Sequence, residues 1–290
     1  MQIQEEYTRL AYRHEITALL QRQDSIFRIL ERAAEVKFRT GESGILEKTT
    51  AVTQRLEISD RLRQNEAEIK ISLARLNSLI QSPKPLVFLP EKLNRKLNPE
   101  ISPAAPMNHP LLAESQQRVA VAERERQLQK ARLAPDISLG YFNQTLIGSY
   151  EVDGSLQSYG RSNRFQGIEA GVALPLGFGA QSARVKAAGL NRQIAETELQ
   201  NQQNQLQFQW DAARENNQRL RNSLNFYQEQ VLVNARLAMS QADKAYRSGE
   251  TGYLQYLQAA DQVLRLQQNY SQLLLDYRLS VYQLEYLEGK

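Results

Sequence analysis

The chain contains no cysteine, which rules out disulfides, zinc–thiolate sites and a lipid-modified N-terminal cysteine. No window approaches eighteen consecutive apolar residues, so no segment can span a bilayer as a helix. A β-barrel escapes that test, because its strands are short and alternate. There is no basic block either. The net charge of +4 is spread evenly and gives no footprint for a nucleic-acid partner. The opening residues, MQIQEEYTRLAYRHE, lack an apolar core and a small-residue cleavage site, so they are not a secretory signal; one is expected upstream. With 23% charged and 41% hydrophobic residues, the 290 residues are neither an acidic disordered tail nor a multi-span helical membrane protein.

Helix breakers are nearly absent outside two zones. Seven of nine prolines fall between Pro83 and Pro110, and eight of fourteen glycines between Gly140 and Gly179. The remaining stretches are rich in Gln, Glu, Arg, Leu and Ala and read as helix. Leu266, Tyr270, Leu273, Tyr277, Val281, Leu284 and Leu287 recur at steps of three and four, close to a coiled-coil seam. So narrow a stripe beside so much glutamine suits long antiparallel hairpins. Five helices are expected, at roughly 3–38, 45–81, 109–133, 181–247 and 253–287. The fourth, at 1.5 Å per residue, would be on the order of 100 Å long.

The glycine zone changes period. Ile137, Leu139 and Tyr141 share one face of an extended strand (135–146), as do Ile168, Ala170, Val172 and Leu174 (165–176). A long polar connection joins them. Two strands make no stable sheet alone in water, and no third strand is evident.

A turn occurs twice. FRTGESG from Phe38 matches YRSGETG from Tyr246 at an offset of 208 without gaps, and the match continues for about forty residues, through Leu46/Leu254, Ala51/Ala259 and Leu76/Leu284. Gly41 and Gly249 suit the left-handed end of a helix, and Ser43 or Thr251 a cap for the next. The helix before the second turn starts near Gln181, so its counterpart would begin before Met1. This predicts an incomplete first repeat with its own strand pair further upstream. The expected organisation is a helical hairpin at 1–82, a proline-rich linker at 83–110, and a second repeat at 111–290 containing a β-hairpin at 136–175.

These features together resemble the TolC-like outer membrane efflux proteins. The carrying segments are ARLAPDISLGYF, a helix running into a strand; GVALPLGFGAQSARVKAA, a strand running into a long helix; and the paired turns RTGESG and RSGETG. The resemblance implies a mainly α fold of α-barrel type, with a β-hairpin given to a transmembrane β-barrel, and a homotrimer in the outer membrane and periplasm. It implies a passive exit duct of a tripartite efflux or type I secretion system, in style nearest the heavy-metal members. A periplasmic adaptor and an inner-membrane transporter, RND type first, would dock at the turns. The matching positions are Arg39, Gly41, Glu42, Arg247, Gly249 and Glu250; helix capping with solvated charge is the simpler alternative. Glu47, Gln255 and Gln258 match a pore constriction, against the alternative of an ordinary polar face. Leu139, Tyr141, Ile168 and Val172 would meet outer-membrane lipid, with Phe142 and Phe165 there or in an aromatic girdle.

Two other readings stay open: a soluble coiled-coil scaffold, or the terminal module of a longer fused transporter. Enzymatic function has no support, since no nucleophile–base pattern, phosphate loop or metal motif is present, and no cofactor is expected. Met107 and His109 in PMNHP have metal-ligand chemistry but sit in a proline-rich stretch where such a pair is usually incidental. His14 is the only other histidine. Trp210 and the tyrosines of the last helix read as interhelical packing.

Overall fold

The computed structural model describes residues 1–81, 84, 86, 88, 109–174 and 178–289. Helices dominate: α1 (Gln2–Arg39), α2 (Ile45–Ile80), α3 (Pro110–Ala131), α4 (Phe178–Phe226), α5 (Leu232–Ser248) and α6 (Tyr253–Leu287). Four strands lie between α3 and α4: β1 (Asp136–Thr145), β2 (Gly148–Val152), β3 (Ser155–Tyr159) and β4 (Arg164–Ala173). The fold is therefore mainly α, as expected. The fourth expected helix is one rod from α4 into α5, but a single π-helical turn at Tyr227–Val231 interrupts it. Most of the 83–110 stretch, including Met107, lies outside the described residues.

The chain forms two compact units, one of residues 1–109 with 206–290, the other of 110–205. The first is two helical hairpins packed side by side. Its core at the turn end joins Phe27, Leu30 and Ala34 of α1, Ala51 and Ile58 of α2, and Tyr253, Tyr256, Leu257 and Leu264 of α6. Met239, Ala242 and Tyr246 of α5 pack against this core. A helix with a narrow apolar stripe gains its stability by burying that stripe against neighbours.

Farther from the turns, buried polar groups cross the helix interfaces. Asn65 Nδ2 donates to the Arg13 carbonyl and Thr17 Oγ1, both at 2.8 Å. Asn217 Nδ2 donates to Ser280 Oγ at 2.8 Å, and Ser271 Oγ to Glu15 at 2.9 Å. Each bond is satisfied at one axial alignment only, so it fixes register as well as adding about 1 kcal/mol. Trp210 is fully buried, consistent with its reading as a packing residue. His14 stacks on Phe88 at 4.8 Å.

In the second unit β1 and β4 pair antiparallel over ten rungs, from Asp136↔Ala173 to Thr145↔Arg164. The long polar connection folds into a second hairpin, with Gly148↔Tyr159 through Val152↔Ser155 in register. Asp153 and Gly154, both at positive φ, make its two-residue turn. Tyr150, Tyr159 and Phe165 form an aromatic chain there, with centroids 6.2 and 5.4 Å apart.

Candidate functional site

The strand pair has two unlike faces. Its register sets Ile137 opposite Val172, Leu139 opposite Ala170, and Tyr141 opposite Ile168. All six project from one face, and Ile137, Leu139, Ile168 and Val172 are at least 68% exposed. Fully burying such side chains is worth roughly 1.5–3 kcal/mol each. Leaving four in water forgoes on the order of 10 kcal/mol, too much for a free two-stranded hairpin to bear. With exposed Leu174 the face has four rows, about 20 Å at two residues per row. The apolar rows end at Tyr141, whose hydroxyl donates to Gln166 Oε1 at 2.7 Å.

The opposite face is polar and pairs each glycine with a larger partner: Ser138/Gly171, Gly140/Glu169 and Phe142/Gly167. A Cβ on Gly140 would sit 2.8 Å from the Glu169 carboxylate; one on Gly167 would sit 2.8 Å from the Phe142 ring. Side chains therefore lie flat over the opposite glycine, which leaves this face thin. A sheet closing into a barrel needs its small residues on the concave side. Phe142 and Phe165 belong to this face by alternation, not to the face of Tyr141.

The two repeated turns lie together at one end of the first unit, where Lys37 Nζ approaches the Tyr246 ring to 5.7 Å. Their backbones are near copies. Gly41 has φ +75° and Gly249 φ +78°. Glu42 N–H bonds to the Lys37 carbonyl at 2.8 Å and Glu250 N–H to Ala245 at 2.9 Å; the Gly41–Phe38 and Gly249–Tyr246 bonds are 3.2 and 3.3 Å. This is the paired hydrogen-bond motif that closes a helix on a left-handed glycine. The next helix starts at Gly44 or Gly252, both extended. The hydroxyls of Ser43 and Thr251, expected as caps, are buried and make no hydrogen bond among the described residues. In the second copy Gln255 Oε1 takes that role instead, accepting the Gly252 N–H at 2.9 Å.

Arg39, Gly41, Glu42, Arg247, Gly249 and Glu250 are all exposed. Each arginine is held by the carboxylate four residues earlier, Glu35 at 2.9 Å and Asp243 at 3.0 Å. Gln255 and Gln258 are exposed on α6. Glu47 is half-buried, and one of its oxygens is buried without a hydrogen-bond partner among the described residues. Burial, and then the Glu47 carboxylate, raise the Tyr253 phenol well above its ordinary value. His109 is buried, and its Nε2–H donates to the Tyr286 carbonyl at 3.2 Å. Among the described residues no group of His, Asp or Glu is placed to hold a metal ion, and no helix is long and apolar enough to cross a membrane.

A sequence profile for outer membrane efflux proteins matches residues 102–290. The chain belongs to that family. No curated protein matches the sequence. Solved structures show the same fold at low identity. The outer-membrane channel OprN is 18% identical, with a TM-score of 0.83 over 100% of this chain and 65% of its own. The CmeC outer membrane channel of Campylobacter jejuni is 17% identical, with a TM-score of 0.79 over 98% of this chain and 61% of its own. The open state of the Neisseria gonorrhoeae MtrE outer membrane channel is 16% identical, with a TM-score of 0.82 over 99% and 65%. The chain thus spans slightly less than two thirds of the length of these channels.

Sequence reading missed the buried Asn65 and Asn217, because one asparagine in a glutamine-rich helix does not stand out. It also missed the glycine–large pairing of the strands, which was present in the alternation of Gly140, Gly167 and Gly171 but needs the register to be seen.

Proposed function

We propose that the chain forms part of a passive exit duct, with its strands in the outer membrane and its helical hairpins in the periplasm. One observation carries this reading: the ten-rung strand pair, apolar on one face and thin and polar on the other. Lipid accepts the first face and a water-filled lumen the second. The free edges of a two-stranded sheet have unpaired backbone groups that hydrocarbon cannot satisfy. Neighbouring strands are therefore required, and a homotrimer supplies them in a ring. Leu139, Tyr141, Ile168 and Val172 then meet lipid, and Tyr141 anchors at the interface.

The exposed turns at Arg39, Gly41, Glu42 and Arg247, Gly249, Glu250 dock a periplasmic adaptor, behind which an inner-membrane transporter of RND type feeds the duct. Their near-identical backbones support one partner surface used twice. Gln255, Gln258 and Glu47 line the narrowest ring, which carries less negative charge than an all-acidic one. The repeat organisation, with hairpin 1–82 matching the end of 111–290, accounts for that pairing of turns.

The test is conductance of the purified protein in planar bilayers, together with sucrose-gradient flotation of lipid vesicles. Lysine at Leu139 and Ile168 should abolish flotation, at a cost of roughly 2–4 kcal/mol per midplane lysine. A protein that stays soluble without detergent and conducts nothing would overturn the duct.

A further inference from the structure

The sequence has no basic block, but the fold assembles one. Neither 126–135 nor 170–195 contains a carboxylate. These stretches flank the strand pair: α3 leads into β1, and β4 leads into α4. Gln181 Nε2 donates to the Gln129 carbonyl at 2.8 Å, so the first turn of α4 lies level with the last turn of α3. Farther from the strands Arg192 meets Glu123 at 3.3 Å. The two helices are antiparallel neighbours, and their ends nearest the strands bring together Lys130, Arg132, Arg184 and Lys186.

All four are exposed, and among the described residues none makes an ion pair. Arg184 has one long bond, 3.5 Å, to Gln181 Oε1. Other arginines of the same helices differ: Arg118, Arg126 and Arg192 are each bridged to a carboxylate. The acid next along the chain from Arg132 is Asp136, at the first rung of the strand pair. Four positive charges therefore gather where Ile137, Val172 and Leu174 begin the apolar face. In water they repel one another; beside an anionic surface they are stabilised.

Their heights suit such a surface. By the pairing of Gln181 with Gln129, Arg184 lies level with Arg126 and Lys186 with Arg124. At 1.5 Å per residue the four cover about 12 Å, with Arg132 nearest the strands. Five residues separate Arg132 from Ile137, at most about 17 Å of chain. The headgroup layer adds roughly 5–8 Å to each side of the hydrocarbon, and long basic side chains reach toward it.

We propose that this cluster binds anionic phospholipid headgroups of the leaflet facing the periplasm and so fixes the depth of the strand pair. The proposal rests on the duct reading, which sets the strands in the bilayer and the helices beneath it. That placement selects the periplasmic leaflet, because the other leaflet meets the far end of the ladder at Thr145 and Arg164.

The test is electron spin resonance on the full chain in phosphatidylcholine bilayers, comparing spin-labelled phosphatidylglycerol with spin-labelled phosphatidylcholine in the lipid shell. Wild type should prefer phosphatidylglycerol roughly fivefold at 0.1 M salt. The preference should vanish at 1 M, where the screening length falls to about 3 Å. Lys130→Gln with Arg132→Gln should remove most of it, Arg184→Gln less, and Lys186→Gln least. The salt titration needs no variant, so it decides the matter even if a variant does not assemble. Equal affinity for the two lipids, or a preference that survives 1 M salt, would overturn the proposal. So would a Lys130/Arg132 variant that keeps its lipid preference and changes only ion selectivity, which would put the cations in the lumen. A wild-type protein that does not enter the bilayer sinks the duct reading and this proposal together; one that enters without a lipid preference sinks this proposal alone.

Discussion

The two copies of the turn share a backbone and differ in what holds their helices together. In the first copy α1 and α2 are joined by ion pairs: Glu35–Lys48 at 2.7 Å, Glu31–Arg55 at 2.5 Å, Arg13–Glu68 at 3.4 Å, with Asp24 and Glu6 further from Arg55 and Arg75. At the matching positions of the second copy the Lys48 partner is Tyr256, the Arg55 partner is Val263 and the Glu31 partner is Met239. Nearest the turn, charge pairs have been exchanged for apolar residues, while the positions of Arg13 and Glu68 stay charged as Arg221 and Asp276. The turn itself is kept, down to the arginine bridged four residues back. A turn is set by local backbone chemistry and tolerates little change. The seam below it tolerates either chemistry, but only one of the two fixes alignment. An apolar seam resists separation and permits sliding; a row of ion pairs resists sliding as well.

The largest expected effect is on the core both copies share. Phe27 is 2% exposed, and its counterpart in the second copy is Ala235. Phe27→Ala should cost about 3–5 kcal/mol of stability in denaturant titration of the solubilised protein, because the cavity sits between hairpins and cannot collapse fully. A loss below about 1 kcal/mol would mean that the two hairpins are not packed through this site.

Next come the glycines, where the copies should behave alike at one position and differ at another. Gly41→Ala and Gly249→Ala meet no steric obstacle but force a side chain to φ near +75°, a penalty of about 1–2 kcal/mol each. At the following glycine the copies part. Gly44 has ordinary φ and open space, so Gly44→Ala should be nearly silent. A Cβ at Gly252 would stand 2.9 Å from Gln255 Oε1 and disturb its bond to the backbone, so Gly252→Ala should cost a few tenths of a kcal/mol. Hydrogen exchange of the amides after each turn separates the four variants. Equal losses at all four would contradict the difference in capping.

Much of this was legible beforehand, for physical reasons that differ by element. The turns could be read because left-handed glycine followed by a helix start is a local code, repeated here at a fixed offset. The strands could be read from period two in Ile137–Tyr141 and Ile168–Leu174. The hairpin of β2 and β3 could not, because its five-residue strands mix polar and apolar side chains on both faces and its pairing depends on the Asp153–Gly154 turn more than on alternation. The caps were misassigned: the Ser43 and Thr251 hydroxyls make no hydrogen bond among the described residues, and glycine starts both helices. The π turn was present as a skipped beat between Tyr227 and Ala235, visible only when the inward residues of the whole rod are counted. Glu47 was matched to the constriction through the family resemblance; in three dimensions it is half-buried, and its charge raises the Tyr253 phenol.

The smaller effects concern the charges. Replacing Glu31 and Arg55 together by Met and Val, the residues of the second copy, should be close to neutral, since a half-exposed ion pair contributes about 1 kcal/mol or less and the apolar pair recovers packing. Arg55→Ala alone should cost more than the double replacement, because Glu31 then loses its partner while Asp24 keeps only Arg28; the reverse order would mean that the ion pair outweighs apolar packing at this seam.

The last difference is in pH. Bonds from Lys48, and then from Arg39, hold the Glu35 carboxyl below its ordinary value. A carboxyl depressed in the folded state contributes stability above the ordinary carboxylate range, and that contribution is lost as pH falls through the folded value. Lys48→Met should therefore lower the thermal midpoint at pH 6–7. The gap to wild type should shrink below about pH 4 and close once Glu35 is protonated. The matching position of the second copy is Tyr256, which has no charge to offer Asp243 in this range, so Tyr256→Met should shift the midpoint by the same amount at pH 7 and pH 4. A Lys48→Met gap that stays constant from pH 7 to pH 3 would show that Lys48 acts at the first turn through packing of its stem over Phe38, 5.0 Å from its ammonium, and that the two copies differ less in their electrostatics than their sequences suggest.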